Sequence, residues 1–125
     1  MTITGSGCVV LKLTDFTLNN KDTLTLQGTA GTAFIINVSN HFSLTDQAKI
    51  VLSGGVSSSD VLFNVRGTGG GDVKLDKQSR FTGILMANQR DVAVKDDAVV
   101  TGEIIANHID LTHNAQVIHP PTVSN

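Results

Sequence analysis

Hydrophobic and polar positions along this chain fall into a seven-residue unit that occurs five times. The copies are LNNKDTL (18–24), LTDQAKI (44–50), LDKQSRF (75–81), VKDDAVV (94–100) and LTHNAQV (111–117). Each has an apolar residue at both ends and mostly polar residues between. The fifth position is small in four copies: Ala48, Ser79, Ala98 and Ala115. Starts at 18, 44, 75, 94 and 111 give spacings of 26, 31, 19 and 17 residues. Such self-similarity identifies one supersecondary unit stacked on itself, each copy burying what its neighbour leaves exposed.

Aligning the units brings out three short strands per repeat. An apolar strand precedes each unit by some residues: VVLKL (9–13), FIINV (34–38), VLFNV (61–65), ILMA (84–87) and IIAN (104–107). A second leads into it: FTL from Phe16, FSL from Phe42, VKL from Val73, VAV from Val92 and IDL from Ile109. A third leaves it and closes on Gly28, Gly54, Gly83 or Gly102. The connecting residues are rich in Gly, Asn, Asp and Ser, which tolerate tight backbone geometry. No stretch carries a 3.6-residue apolar period.

These elements predict an all-β fold, a right-handed parallel β-helix of triangular section with about five coils and no long helix. Coils rising about 4.8 Å each give a rod roughly 24 Å tall. A β-sandwich also uses many short strands, but it does not explain side-chain identity repeated at fixed offsets. Alternation along the strands points Phe16 and Leu18, Phe42 and Leu44, Val73 and Leu75, Val92 and Val94, and Ile109 and Leu111 inward. It sends Thr17, Ser43, Lys74, Ala93 and Asp110 outward.

One set of strands breaks the alternation. The first strands are apolar at nearly every position, as in strands buried on both sides. Alternate residues Val10, Ile35, Leu62, Ile84, Met86 and Ile105 then form an outward stripe, and a stripe of that size on a soluble protein packs against something. The expected cover is a second copy in a homo-oligomer, or a helical segment outside this chain.

The 125 residues form one domain, 1–125, with 119–125 as a C-terminal tail. Five Phe without Trp or Tyr, and abundant Val, Ile, Leu and Thr, favour strands. Formal net charge is −2 with interspersed signs, leaving no electrostatic footprint for nucleic acid. The lone Cys8 excludes an internal disulfide framework or Cys-rich metal site. No run reaches the roughly 20 apolar residues of a membrane span, and the N-terminus lacks the features of a signal peptide.

With the coils aligned, the sequence resembles the bacterial choice-of-anchor A domain and the related ice-binding-like β-solenoid family. The matching stretches are LTLQGTAGTAFIINVSNHFSL (24–44), IVLSGGVSSSDVLFNV (50–65), FTGILMANQRDVAV (81–94) and VTGEIIAN (100–107). A weaker likeness is to bactofilins, which polymerise through uncapped coils. The main resemblance implies a β-helix with a long helix beside one face, on an exported surface or ice-binding protein. That helix has no counterpart here, so the chain is expected to be the C-terminal part of a larger domain. Localisation at the cell surface or outside the cell is likewise what the resemblance implies.

Candidate chemistry is sparse. The outward column of the glycine-closed strands reads Thr25, Val51, Thr82, Thr101 and Ile118; regular Thr spacing is what an ice lattice requires. Its neighbour reads Thr23, Lys49, Arg80, Val99 and Gln116, and long charged chains there work against flatness. Asp72 and Asp91, with Asp15 in the same register, form a stacked carboxylate column. Such a column repels itself unless a cation or Arg intervenes; calcium is one answer, pairing with Arg90 or Arg66 the plainer one. His41, His108, His113 and His119 are scattered turn residues, and Gly67–Gly71 lacks the Lys and Ser/Thr of a phosphate loop. No catalytic residues and no cofactor are expected. The leading expectation is a non-catalytic adhesion or structural module binding a surface ligand, polysaccharide or matrix protein. The alternatives are an ice-binding protein and a self-assembling scaffold.

Overall fold

The computed structural model describes residues 2–67 and 71–118. The tail 119–125 with His119, Pro120 and Pro121, and the middle of the Gly67–Gly71 loop, lie outside the described residues. The chain winds as a parallel β-solenoid with three faces. Face 1 stacks β1 (Thr2–Thr4), β4 (Thr23–Gly28), β7 (Lys49–Gly54), the start of β10 (Arg80–Val94), the start of β11 (Val99–Leu111) and β12 (Gln116–Ile118). Face 2 stacks β2 (Cys8–Leu13), β5 (Ala33–Val38), β8 (Val61–Val65) and the middles of β10 and β11. Face 3 stacks β3 (Phe16–Leu18), β6 (Phe42–Leu44), β9 (Val73–Leu75) and the ends of β10 and β11. Every pairing is parallel, so the sandwich alternative is excluded. Four full turns separate the five rungs of face 2. The one helical element among the described residues is a 3-10 turn, Ser58–Asp60.

The seven-residue units are the corners between faces 3 and 1. In each, an N–H three residues on bonds back to a carbonyl, as in Asp22 to Asn19, Ala48 to Thr45 and Ser79 to Asp76. Both central residues have positive φ, from Asn20 and Lys21 to His113 and Asn114. This is the pattern of a type I′ turn. Stacked turns bond to one another in both directions: Lys21 N–H to the Asp46 carbonyl, and Lys49 N–H to the Asp22 carbonyl. Leu18, Leu24, Leu44, Ile50, Leu75, Phe81, Val94 and Val100, the apolar ends, are buried.

Two expectations are corrected here. Strands 80–94 and 99–111 are continuous through three faces instead of being broken at each corner. Gly83 and Gly102, at φ +139 and +136, turn the corner without interrupting the ladder. The other concerns Ile109 and Leu111, which pair with Val92 and Val94 yet are 41% and 49% exposed. They belong to the last full rung, and among the described residues no further rung covers them.

The interior holds a run of Phe rings. Phe16 stacks on Phe42 at 5.1 Å, and Phe63 meets Phe42 and Phe81 edge-on at 5.7 and 5.2 Å. Edge-to-face rings add about 0.5–1.5 kcal/mol each beyond burial.

Candidate functional site

On face 1, side chains alternate between the core and solvent. Register pairs Thr2 with Thr25, Thr25 with Val51, Thr82 with Thr101 and Thr101 with Ile118. Arg80 pairs with Lys49, and Thr82 lies two residues further along that ladder. The result is one outward column, Thr2, Thr25, Val51, Thr82, Thr101 and Ile118, repeating at the inter-strand spacing of about 4.8 Å. Thr2 extends it by a further rung, which the repeat does not reveal because TIT (2–4) follows no seven-residue unit. All the inner four are β-branched, so χ1 is restricted and the surface is largely pre-ordered. Val51, 40% exposed, keeps the shape of Thr without its hydroxyl.

The flanking column is equally regular: Thr23 with Lys49, Lys49 with Arg80, Arg80 with Val99, Val99 with Gln116. Lys49 and Arg80 are exposed neighbours of like charge.

Face 2 carries the apolar positions, but in two columns. Val10, Ile35, Leu62 and Ile84 pair in succession, whereas Met86 and Ile105 lie in the adjoining column beside Asn64 and Asn37. The stripe is therefore a diagonal, most exposed at its ends, with Val10 at 54% and Ile105 at 44%. Asn64 Nδ2 donates to Asn37 Oδ1 at 3.1 Å, starting an amide ladder next to it.

In the acidic column, asparagine amides and a backbone N–H, not Arg90 or Arg66, are the partners of Asp15 and Asp91. Register places Asp15, His41, Asp72, Asp91 and His108 at one level of face 3. Asp15 Oδ1 accepts from Asn40 Nδ2 and His41 N–H, and Asp91 Oδ1 from Asn107 Nδ2. Among the described residues no three His, Cys, Asp or Glu side chains are grouped to hold a metal ion.

Among the described residues Arg90 bonds no carboxylate. It is 3% exposed, and its guanidinium donates to the carbonyls of Ser39, Asn40, Arg66 and Gly67. Burial lowers its pKa from the ordinary arginine value. Three rungs are thereby tied at the corner of faces 2 and 3, where the β10 register shifts. Nothing local in the sequence distinguished Arg90 from Arg66.

The fold and its ordered Thr-bearing face define a class, the triangular β-solenoids with a regular outward ladder. The ice-binding-like family profile matches residues 9–118, and the chain belongs to that family. A relative named ice-binding protein, from Leucosporidium sp. (strain AY30), is 28% identical over 83 residues. That alignment spans 66% of this chain and 30% of the relative. In fold, the chain is similar to an ice-binding protein from an Arctic yeast whose structure was described for its antifreeze activity. The TM-score is 0.55 at 17% identity, covering 91% of this chain and 55% of the other. The chain thus spans 30% of the length of the first relative and 55% of the second. The adhesion reading finds no support among them; their names carry the alternative, ice binding. No helix among the described residues is long and apolar enough to cross a membrane.

Proposed function

We propose that this chain is an ice-binding protein or the ice-binding part of one, acting without catalysis or cofactor on ice outside the cell. Face 1 is the docking surface, with Thr25, Val51, Thr82 and Thr101 at its centre. The single observation that carries the reading is the in-register Thr column, supported by family membership. Each Thr presents a methyl group and a hydroxyl at a fixed χ1. Water held between successive methyl groups can then adopt a spacing set by the backbone, which is rigid and regular along the ladder. Lys49 and Arg80 mark the edge of the surface, since their long charged chains keep water mobile.

The test is thermal hysteresis and inhibition of ice recrystallisation by the purified chain. A Thr82→Tyr, Thr101→Tyr double variant should lose most of the activity, because two bulky rings lift the surface off the lattice. Thr17→Tyr on face 3 should retain it. Activity in the wild type that survives the double substitution would place the ice surface on another face. A wild type with no hysteresis and no effect on recrystallisation would remove ice binding altogether.

A further inference from the structure

The corner between faces 2 and 3 holds a second surface, distinct from face 1 in place and chemistry. Two adjoining clefts share Ser39 and Arg66. The lower, about 240 Å³, is lined by Lys12, Asn37 and Thr14 beside those two. The upper, about 570 Å³, adds Asn64, Asn88 and Gln89. The lining climbs four rungs, from Lys12 on β2 to Gln89 on β10, and contains two cations, amides and hydroxyls but no carboxylate.

Charge at this corner is unbalanced. Neither Lys12 nor Arg66 has an ion-pair partner among the described residues. Behind the cleft lies Arg90, whose guanidinium is held, among the described residues, by carbonyl oxygens alone, three of them from the lining residues Ser39, Arg66 and Gly67. Carbonyl dipoles satisfy its hydrogens but do not cancel its charge. Asp15, three residues from Lys12, and Asp91, next to Arg90, are engaged by Asn40, His41 and Asn107, and Asp60, six residues before Arg66, by Ser57. In the Asn64–Asn37 pair one Asn37 N–H₂ and the Asn64 oxygen lack a partner in that bond, a donor and an acceptor ready for hydroxyl groups.

We propose that this corner cleft binds an acidic polysaccharide laid along the solenoid axis. Lys12 and Arg66 would take carboxylate or sulfate groups, and the amide ladder the sugar hydroxyls. The length scale agrees: polar groups recur at the rung spacing of about 4.8 Å, near the length of one sugar in an extended chain. Arg66 presents a planar fork suited to either anion.

Immobilised polygalacturonate, dextran sulfate and neutral dextran test this at low and high salt. The protein should be retained on at least one anionic polymer in a salt-sensitive manner, and not on dextran. Retention on polygalacturonate alone identifies carboxylate as the anion, and on dextran sulfate alone, sulfate. A Lys12→Gln, Arg66→Gln variant should bind about tenfold more weakly or worse, as expected for lost charge-assisted bonds. A Lys77→Gln, Lys95→Gln variant loses the same charge at another corner and should bind as the wild type does. Thermal hysteresis should be unchanged in both, so that this proposal and ice binding fail separately. Equal retention on dextran, no retention on either anionic polymer, or equal weakening by the two variants would overturn it.

Discussion

Arg90 shows how much one side chain can contribute in a repeat protein. Solenoid rungs interact mainly with their neighbours, but this guanidinium reaches carbonyls of residues 39 and 40 as well as 66 and 67. Hydrogen bonds to a charged group contribute about 1.5–3 kcal/mol each, and a buried carbonyl left bare costs about 1–3 kcal/mol. Arg90→Met should therefore lower stability by at least about 3 kcal/mol, a large share of a total near 5–15 kcal/mol. Arg90→Lys should recover only part of that, because an ammonium group cannot reach four carbonyls with a planar fork. Thermal melts followed by circular dichroism decide it. An Arg90→Met midpoint equal to that of the wild type would mean that water replaces the guanidinium at little cost. In the same rung, Ser79 is fully buried with no partner for its hydroxyl among the described residues, where three of the other four copies of the unit carry Ala.

At the scale of elements, the corners decide how tightly the coil can wind. Between faces 1 and 2, residues 29–32 separate β4 from β5, and 55–60 separate β7 from β8. A single glycine does the same work in β10 and again in β11. The reason is steric. A Cβ on Gly102 would stand 1.9 Å from the Gly83 carbonyl oxygen, and φ near +136 is closed to other residues. Gly102→Ala should force the last two rungs apart and cost more than about 2 kcal/mol. Gly7 also has positive φ, but nothing lies within 4 Å of an added Cβ. Gly7→Ala should cost only the backbone term of about 1 kcal/mol. Denaturant midpoints of the two variants give the ranking, and a larger loss at Gly7 would contradict this account of the corner.

At the scale of the whole molecule, the face 2 diagonal of Val10, Ile35, Leu62, Ile84, Met86 and Ile105 leaves apolar surface in water. We propose that a second copy covers it about a two-fold axis, since an isologous contact buries the same patch twice. Light scattering should find a dimer or small oligomer whose mass falls in a Leu62→Lys, Met86→Lys variant. A wild type that stays monomeric at high concentration, or a variant that associates as strongly, would remove the proposal.

Much of this was legible in the sequence because a solenoid writes its period directly into the chain. Apolar ends of the seven-residue units, the glycine column and the outward Thr positions all follow from strand alternation and fixed offsets, which are local properties. The relation between rungs is not local. Lys21, Gln47, Lys77 and Gln78 adopt positive φ with little intrinsic preference for it, because stacked turns bond to each other and offset the cost. Alternation alone puts Met86 and Ile105 in one apolar line with Leu62, but only the pairing of Ile84 with Leu62 and of Met86 with Asn64 fixes their column. Ile109 and Leu111 alternate as core residues do and are still exposed, since burial depends on whether another rung lies above. Arg90 is the clearest case: its sequence neighbours say surface, and its four carbonyl partners lie 23 to 51 residues away. The periodic pattern determined the faces. Contacts between coils, which no local pattern encodes, decided the corners, the ends and the buried cation.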